Sequence, residues 1–424
     1  MSETICALAT PTGGALAIIR ISGSQSFQIL RSICSHADTA KSRFLSPITD
    51  ETGTLIDEAL VSVFHAPHSY TGEDSVEISC HGSQYIVRRI LDLLVQKGCR
   101  MARPGEYTQR AFLNGKLDLS QAEAVADLIA STNKATHQMA MSQLRGHFSS
   151  ELAQLRDQLL HLTSLLELEL DFSDHEELEF ADRTELLALA KTIDERVRHL
   201  AGTFQAGNAL KNGIPVAIIG APNVGKSTLL NALVGEERAI VSDIQGTTRD
   251  AIEDTIQLGG ITFRFIDTAG IRHTNDQIER LGIDRSLAAS QQAQIILMMT
   301  EPGVPYPDVP IRENQTVIRI ENKTDNFQAK YGVGLDELRQ HLIDIAPKLP
   351  ENEVVVTNVR HYEALMHASS NLARVIESLE MGISGDLVAE DLRLVLSDLG
   401  EITGGNITSQ ETLNNIFSHF CIGK

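Results

Sequence analysis

The sequence predicts a multidomain α/β + α protein, on three observations. Residues 1–118 mix short β-like runs with helix, residues 119–211 and 349–424 carry apolar helical stripes, and residues 212–348 between them show strand–glycine-loop–helix patterning. With 424 residues, 42% of them apolar, the chain is long enough for two or three separate cores.

In the first part, Leu16–Ser22, Ala59–Phe64 and Ser75–Cys80 read as strands bounded by Gly, Pro and Thr-rich turns. Gln84–Lys97, apolar at 86, 90, 93 and 94, reads as a helix. Residues 1–118 are therefore expected to form an α+β domain. From Ser120 the pattern turns helical. Ser120-Gln-Ala-Glu123 has capping-box spacing, and Leu152, Leu155, Leu159, Leu162 and Leu166 draw one stripe. An acidic break from Asp171 to Glu179 precedes further helix to about Leu210. Beyond Pro350, Val388, Leu392, Val395 and Leu399 form a second stripe, and Thr408-Ser-Gln-Glu411 reads as the cap of a last helix. Neither helical segment can bury its stripe alone. The expectation is one helical domain in two parts, 119–211 and 349–424, with 212–348 inserted.

That insertion carries the chemistry. Pro215–Ile219 is a buried-strand pattern running into Gly220-Ala-Pro-Asn-Val-Gly-Lys226-Ser227, with helix expected over Thr228–Leu233. Glycines in such a loop let backbone N–H groups turn toward phosphates, Lys226 places charge on the β/γ oxygens, and Ser227 offers an oxygen to Mg²⁺. Asn223, Val224, Gly225 and Thr228 complete the phosphate-contacting run. A second strand, Ile261–Ile266, ends in Asp267-Thr268-Ala269-Gly270, where the aspartate can hold Mg²⁺ through water and the glycine N–H can sense a γ-phosphate. A third, Thr316–Ile320, precedes Asn322-Lys323-Thr-Asp325; the Asp325 carboxylate can accept from guanine N1–H and N2–H₂, which adenine lacks. Gly246-Thr247-Thr248 offers Thr248 as a second Mg²⁺ oxygen. In this order, each after its own strand, these motifs predict a Ras-like P-loop GTPase domain. Ile271 occupies the position where Ras-type enzymes carry a water-orienting glutamine, so another group must act; Arg272, Asp276 and Glu279 are the polar candidates.

Composition sets limits on the rest. A net charge of -20 argues against a broad basic nucleic-acid footprint, although residues 1–118 carry 11 Lys/Arg against 12 Asp/Glu and are nearly neutral. No apolar run reaches the ~18–20 residues of a membrane span, and Met1–Gly14 lacks secretion-signal character. Five cysteines in no metal-type spacing suit a reducing compartment, so a cytoplasmic location is expected, without membrane attachment. His65, His68, Cys80 and His81 lack the spacing of a zinc site.

The chain resembles the bacterial and organellar tRNA-modification GTPases of the MnmE (TrmE) family. The likeness is carried by Arg103-Pro-Gly-Glu-Tyr-Thr-Gln-Arg-Ala-Phe-Leu-Asn-Gly-Lys-Leu-Asp-Leu119, by the terminal Phe420-Cys-Ile-Gly-Lys424, and by a G domain set within helices. It implies a homodimer whose N-terminal domains bind a 5-formyl or 5,10-methylene tetrahydrofolate through Arg20, Glu77, Lys116 and Lys424. It also implies an FAD-dependent partner protein, in a heterotetramer that places a carboxymethylaminomethyl or aminomethyl group on C5 of the wobble uridine of certain tRNAs. Further, it implies a K⁺-dependent GTPase, with K⁺ held by Asn223, Ser242, Ile244 and Thr247, GTP contacts extending over Asp243, Gln245 and Gly246, and Glu279 orienting water. Cys421 becomes a candidate catalytic thiol. The fifth guanine-contacting element, usually Ser-Ala-[KR], here reads Gln328-Ala-Lys330, and the stretch before the third strand is short, with Glu301-Pro-Gly-Val-Pro-Tyr-Pro looking like a loop. Residues 213–346 would equally suit a GTPase switch in ribosome assembly or signalling; the N-terminal charges and the C-terminal CIGK favour the modifying enzyme.

Overall fold

The structure, a computed structural model, describes residues 3–11, 13–171, 183–235, 254–266, 288–347, 353–405, 410–418 and 420–423. Along the chain these form β1 (Ile5–Leu8), β2 (Leu16–Ser22), α1 (Ser26–Ile33), β3 (Arg43–Thr49), β4 (Leu55–Phe64), β5 (Ser75–His81), α2 (Gln84–Gln96), β6 (Arg100–Met101) and α3 (Glu106–Leu113). Helices follow: α4 (Leu119–Ala130), α5 (Lys134–Leu144), α6 (His147–Asp171), α7 (Arg183–Gly202) and α8 (Phe204–Asn212). Then come β7 (Ile214–Gly220), α9 (Lys226–Val234), β8 (Asp254–Leu258), β9 (Ile261–Phe265), β10 (Ile295–Thr300), β11 (Thr316–Glu321) and α10 (Leu335–Ile345). The chain closes with α11 (Val359–Glu380), α12 (Gly385–Thr403) and α13 (Gln410–Ser418). Two compact units result: one of Met1–Ala130, Met141–Ala190 and Ser370–Lys424, the other of Ser131–Ala140 and Lys191–Ser369.

In the first unit a mixed sheet runs β3-β4-β5-β2-β1-β6. Strict alternation decides its faces. Ala17, Ile19 and Ile21 of β2 and Val76, Ile78 and Cys80 of β5 are buried in one core with Ile29, Leu30 and Ile33 of α1 and Ile90, Leu93 and Leu94 of α2. Arg20 and Glu77 therefore lie on the opposite face, paired directly across the antiparallel β2–β5 ladder. The sheet departs from sequence expectation in β1, β3 and β6, for which no strand is expected, and in β4, which is longer than expected. β3 was hidden by Pro47, whose lack of an N–H an edge strand tolerates; β4 starts at Leu55, because β3 gives Leu55–Glu58 a partner. The helical stripe of α6, Leu152 through Leu166, is buried, as are Val388, Leu392, Val395 and Leu399 of α12; these two helices pack on each other.

The predicted capping box at Ser120 is displaced by two residues, to Asp118. α4 begins at Leu119, so Ser120 is already helical and wholly buried. Asp118 takes the capping role: its Oδ1 accepts from Gln121 N at 2.9 Å, while Gln121 Oε1 accepts from Asp118 N at 3.0 Å. The same reciprocal logic holds, with Asp and Gln as its ends.

The second unit holds a five-stranded sheet in the order β11-β10-β7-β9-β8, parallel except for β8. Its inner positions, such as Val216, Ile218, Phe263, Phe265, Leu297 and Met299, pack with Leu229, Leu230 and Leu233 of α9 and with Leu338 and Leu342 of α10. The parallel crossover from β10 to β11, residues 301–315, contains no helix, and Val309 from that loop covers the sheet beside Ile219, Ile296 and Met298. The expected loop character of Glu301–Pro307 is thus what the chain adopts.

Candidate functional site

Strand order reverses at β7: the chain moves to β9 on one side and to β10 on the other. In open parallel sheets the crevice at the carboxyl ends of strands beside such a reversal is where ligands bind. The phosphate loop begins at the end of β7, at Gly220, and the Asn322–Asp325 element follows β11, which ends at Glu321.

Asn223 and Gly225 both take left-handed backbone, at φ 65° and 99°, and α9 starts directly after Gly225 with no side-chain cap. A helix N-terminus that directly follows a glycine-shaped loop is the kind of place where backbone N–H groups receive anions. Val224 between them is buried in the core and anchors the loop from beneath. A side chain at Gly225 would collide with the Asn322 amide. Lys226 Nζ donates to Gly220 O and Ala221 O, each at 2.8 Å, and burial pushes its pKa below that of an ordinary lysine. Ser227 and Thr228 occupy the first turn of α9.

The base-reading loop is tied to the phosphate loop at two points. Asn322, 4% exposed, donates from Nδ2 to Val224 O at 2.8 Å, and its Oδ1 accepts from Ala329 N at 3.1 Å. Lys323, also at a positive φ of 65°, donates to Asn223 O at 3.3 Å and forms an ion pair with Glu301. Glu301 escaped the motif reading because nothing in its surroundings marks it; only the adjacency of β10 and β11 brings it to Lys323. Asp325 is exposed at the same loop. Ser242, Asp243, Ile244, Gln245, Gly246, Thr247 and Thr248 lie outside the described residues, as do Asp267, Thr268, Ala269, Gly270, Arg272 and Glu279.

On the N-terminal sheet, Arg20 donates to Glu77 Oε1 from Nε at 2.9 Å and from Nη2 at 2.7 Å. Its guanidinium carbon lies 5.6 Å from the ring centres of both Tyr70 and Tyr107, and Nη1 reaches Gly423 O at 3.1 Å. The sequence reading missed both tyrosines, although Tyr107 sits inside the segment that carries the family resemblance. That segment is largely a wiring harness. Glu106 is buried between Arg100 and Arg110, and Tyr107 Oη donates to Arg20 O at 2.8 Å. Asn114 Nδ2 reaches Thr71 O at 2.7 Å, and Lys116 Nζ reaches Pro67 O at 3.0 Å. Lys116 is thus tied to the 67–72 loop that bears Tyr70, while Lys424 lies outside the described residues. Gly105, at φ 64°, admits no side chain: a Cβ there would stand 2.7 Å from Phe417 O and 2.9 Å from Phe420 Cβ. Its N–H donates to Cys421 O at 3.3 Å, and two residues on, Gly423 O accepts from Arg20. Cys421 itself is exposed and lies after α13.

Cys80 and His81 point to opposite faces; Cys80 is buried, His81 Nδ1 faces Asp57 Oδ1 at 2.8 Å, and His65 Nε2 faces Thr39 O at 3.0 Å. Among the described residues no three metal-binding side chains gather, and no helix is long and apolar enough to cross a membrane.

Two family models match: the GTP-binding protein TrmE N-terminus over residues 4–116 and the MnmE helical domain over residues 119–421. A tRNA modification GTPase MnmE from Parabacteroides distasonis is 51% identical, with 100% of each chain covered. One from Phocaeicola vulgatus is 50% identical over all of this chain and 99% of its own, and one from Flavobacterium johnsoniae is 48% identical with the same coverage. These alignments span 461, 494 and 466 positions respectively, more than the 424 residues here, so the relatives carry internal residues with no counterpart in this chain. The cytosolic domain of the T. maritima FeoB iron transporter matches 45% of this chain and 98% of its own at 15% identity and a TM-score of 0.23, a likeness too slight to carry an argument. On the full-length relatives and the two family models, the chain belongs to the MnmE (TrmE) family of tRNA modification GTPases.

Proposed function

We propose that this GTPase works in a potassium-dependent cycle that drives modification of C5 of the wobble uridine of certain tRNAs, as a homodimer joined to a flavoprotein partner. The observation that carries the nucleotide half is the double tether between loops, Asn322 to Val224 and Lys323 to Asn223, at the reversal point of a parallel sheet. A loop pair held this way presents a phosphate cradle and a base reader in one piece, with little left to organise on binding. Lys226 and the first N–H groups of α9 receive the phosphates, and Asp325 reads the guanine edge.

Ser227 and Thr248, with Asp267 through water, would hold Mg²⁺; hydroxyl and carboxylate oxygens suit that hard cation. Asn223, Ser242, Ile244 and Thr247 would hold K⁺. Asn223 fits the role in being exposed and fixed in left-handed backbone, so it is not spent on packing. When bound, these cations neutralise charge on the phosphate oxygens. Glu279 orients the attacking water in place of the glutamine that Ile271 replaces, and Arg272 is a further polar group of that segment.

The N-terminal half of the reading rests on Arg20, set against two tyrosine rings, and on its ion-pair partner Glu77, both half-buried in the nearly neutral part of the chain. A tetrahydrofolate one-carbon derivative has carboxylates for Arg20, Lys116 or Lys424 and an aminopterin edge for Glu77. That face favours a modifying enzyme over a pure GTPase switch, which would not require it. Turnover in matched KCl and NaCl at equal ionic strength tests the cation: hydrolysis is expected to be much faster in KCl, and identical rates would remove the K⁺ role. Mass analysis of tRNA nucleosides from cells lacking the protein tests the chemistry. C5-modified wobble uridines at their normal level there would return the chain to the switch reading.

A further inference from the structure

The two base-reading elements form one continuous turn in this chain. Only Asn326 and Phe327 separate Asp325 from Gln328. The turn is closed on itself: Thr324 N donates to Phe327 O at 3.1 Å, Phe327 N to Thr324 Oγ1 at 3.1 Å, Gln328 N to Val333 O at 3.0 Å, and Tyr331 N to Gln328 O at 3.0 Å. β11 leads into it and α10 follows directly, with no strand between.

A guanine seated against Asp325 turns its O6 acceptor toward the other end of that turn and needs a donor there. The turn's backbone is mostly spent. The N–H of Gln328 belongs to the bridge with Val333, and the N–H of Ala329 is already directed at Asn322 Oδ1, a buried side chain that is itself pinned to Val224. The Lys330 ammonium lies over the Tyr331 ring, 5.5 Å from its centre. By contrast, Gln328 is half-buried, and among the described residues its side-chain amide makes no hydrogen bond. A half-buried amide with no partner among the described residues can donate to a ligand in place of water, whereas the backbone donors around it are mostly taken.

We propose that the Gln328 side-chain amide is the specificity-determining donor to the purine 6-oxygen, in the place where a shorter serine would leave that contact to the backbone. The proposal rests on the guanine reading above and adds to it the group that reads the 6-position. An amide carries both a donor and an acceptor, so this contact strengthens guanine binding, while rejection of adenine falls mainly to Asp325.

The test is calorimetry on the full-length chain with GDP, 2-aminopurine riboside diphosphate, which keeps the 2-amino group but has no 6-oxygen, and ADP. Gln328→Ala is expected to weaken GDP by roughly fivefold to tenfold, one hydrogen bond's worth, and to leave 2-aminopurine riboside diphosphate unchanged. Gln328→Glu keeps the length, removes the donor and is expected to weaken GDP further. If Gln328→Ala binds GDP as tightly as the parent, the donor is the Lys330 N–H and the proposal is wrong. Equal weakening of both analogues makes Gln328 a loop-shaping residue only, and also overturns it. A parent chain that does not prefer GDP to ADP marks failure of the guanine reading itself, a separate result from either.

Discussion

Lys226 shows what it costs to keep a phosphate site ready. Its ammonium is held by two carbonyl oxygens, Gly220 O and Ala221 O, and is partly withdrawn from water, so burial lowers its pKa. Between that lowered value and the ordinary lysine value the unfolded chain binds more protons than the folded one. Stability of the nucleotide-free protein therefore rises with pH through that window, and at neutral pH the buried charge is a burden. Phosphates relieve it by stabilising the charged form. Nucleotide binding is thus expected to take up a proton at alkaline pH but not near neutrality. GDP titrations at about pH 9 and about pH 7, each in two buffers of different ionisation enthalpy, measure this directly. Lys226→Arg should abolish the uptake, since a guanidinium does not titrate there. An uptake equally large at neutral pH, or none at either pH, would refute the assignment.

At the scale of elements, the start of α4 shows how a local motif is adjusted by its surroundings. Ser120 and Glu123 have the spacing of a capping box, but Ser120 is buried against Ser149 of α6 at 3.1 Å, and Asp118 supplies the cap instead. Asp118→Ala is expected to cost about 1 kcal/mol of stability, the usual worth of such a cap. Chemical denaturation with an unchanged slope would measure it. Loss below a few tenths of a kcal/mol would return the capping role to Ser120. The β2–β5 ladder makes the complementary point. Alternation alone puts Arg20 and Glu77 outside their strands' core faces, yet only the register makes them direct neighbours, and a slip of one residue in either strand would send that strand's charge into the core.

At the scale of the whole chain, the ends of a 424-residue sequence meet around the N-terminal sheet: Arg20 donates to Gly423 O, and Gly105 leaves room for Phe417 and Phe420. Gly105→Ala forces a left-handed residue and a clash on that contact, at a cost of about 1–3 kcal/mol. If the folate reading is right, this substitution weakens 5-formyltetrahydrofolate binding although Gly105 touches no proposed ligand group, and Arg20→Ala with Glu77→Ala abolishes it. Calorimetry on the full-length protein reads both. No saturable binding by the parent, or undiminished binding by the double variant, would remove the folate site from this face.

Sequence by itself determined what depends on neighbours along the chain. The glycine loop and its lysine, the Asn322–Asp325 element, the alternation that splits each strand into two faces, and the leucine stripes of α6 and α12 all follow from local periodicity and backbone freedom. Tertiary structure alone decided what depends on pairing across the chain. It set Arg20 opposite Glu77 and between Tyr70 and Tyr107, brought Glu301 to Lys323, turned the Ala329 N–H onto Asn322, and laid Phe417 and Phe420 over Gly105. The difference has a physical cause. Local signals act through dihedral preference and one-dimensional spacing, whereas register and packing are chosen by which distant apolar faces exclude water together, and the polar contacts are carried along with them.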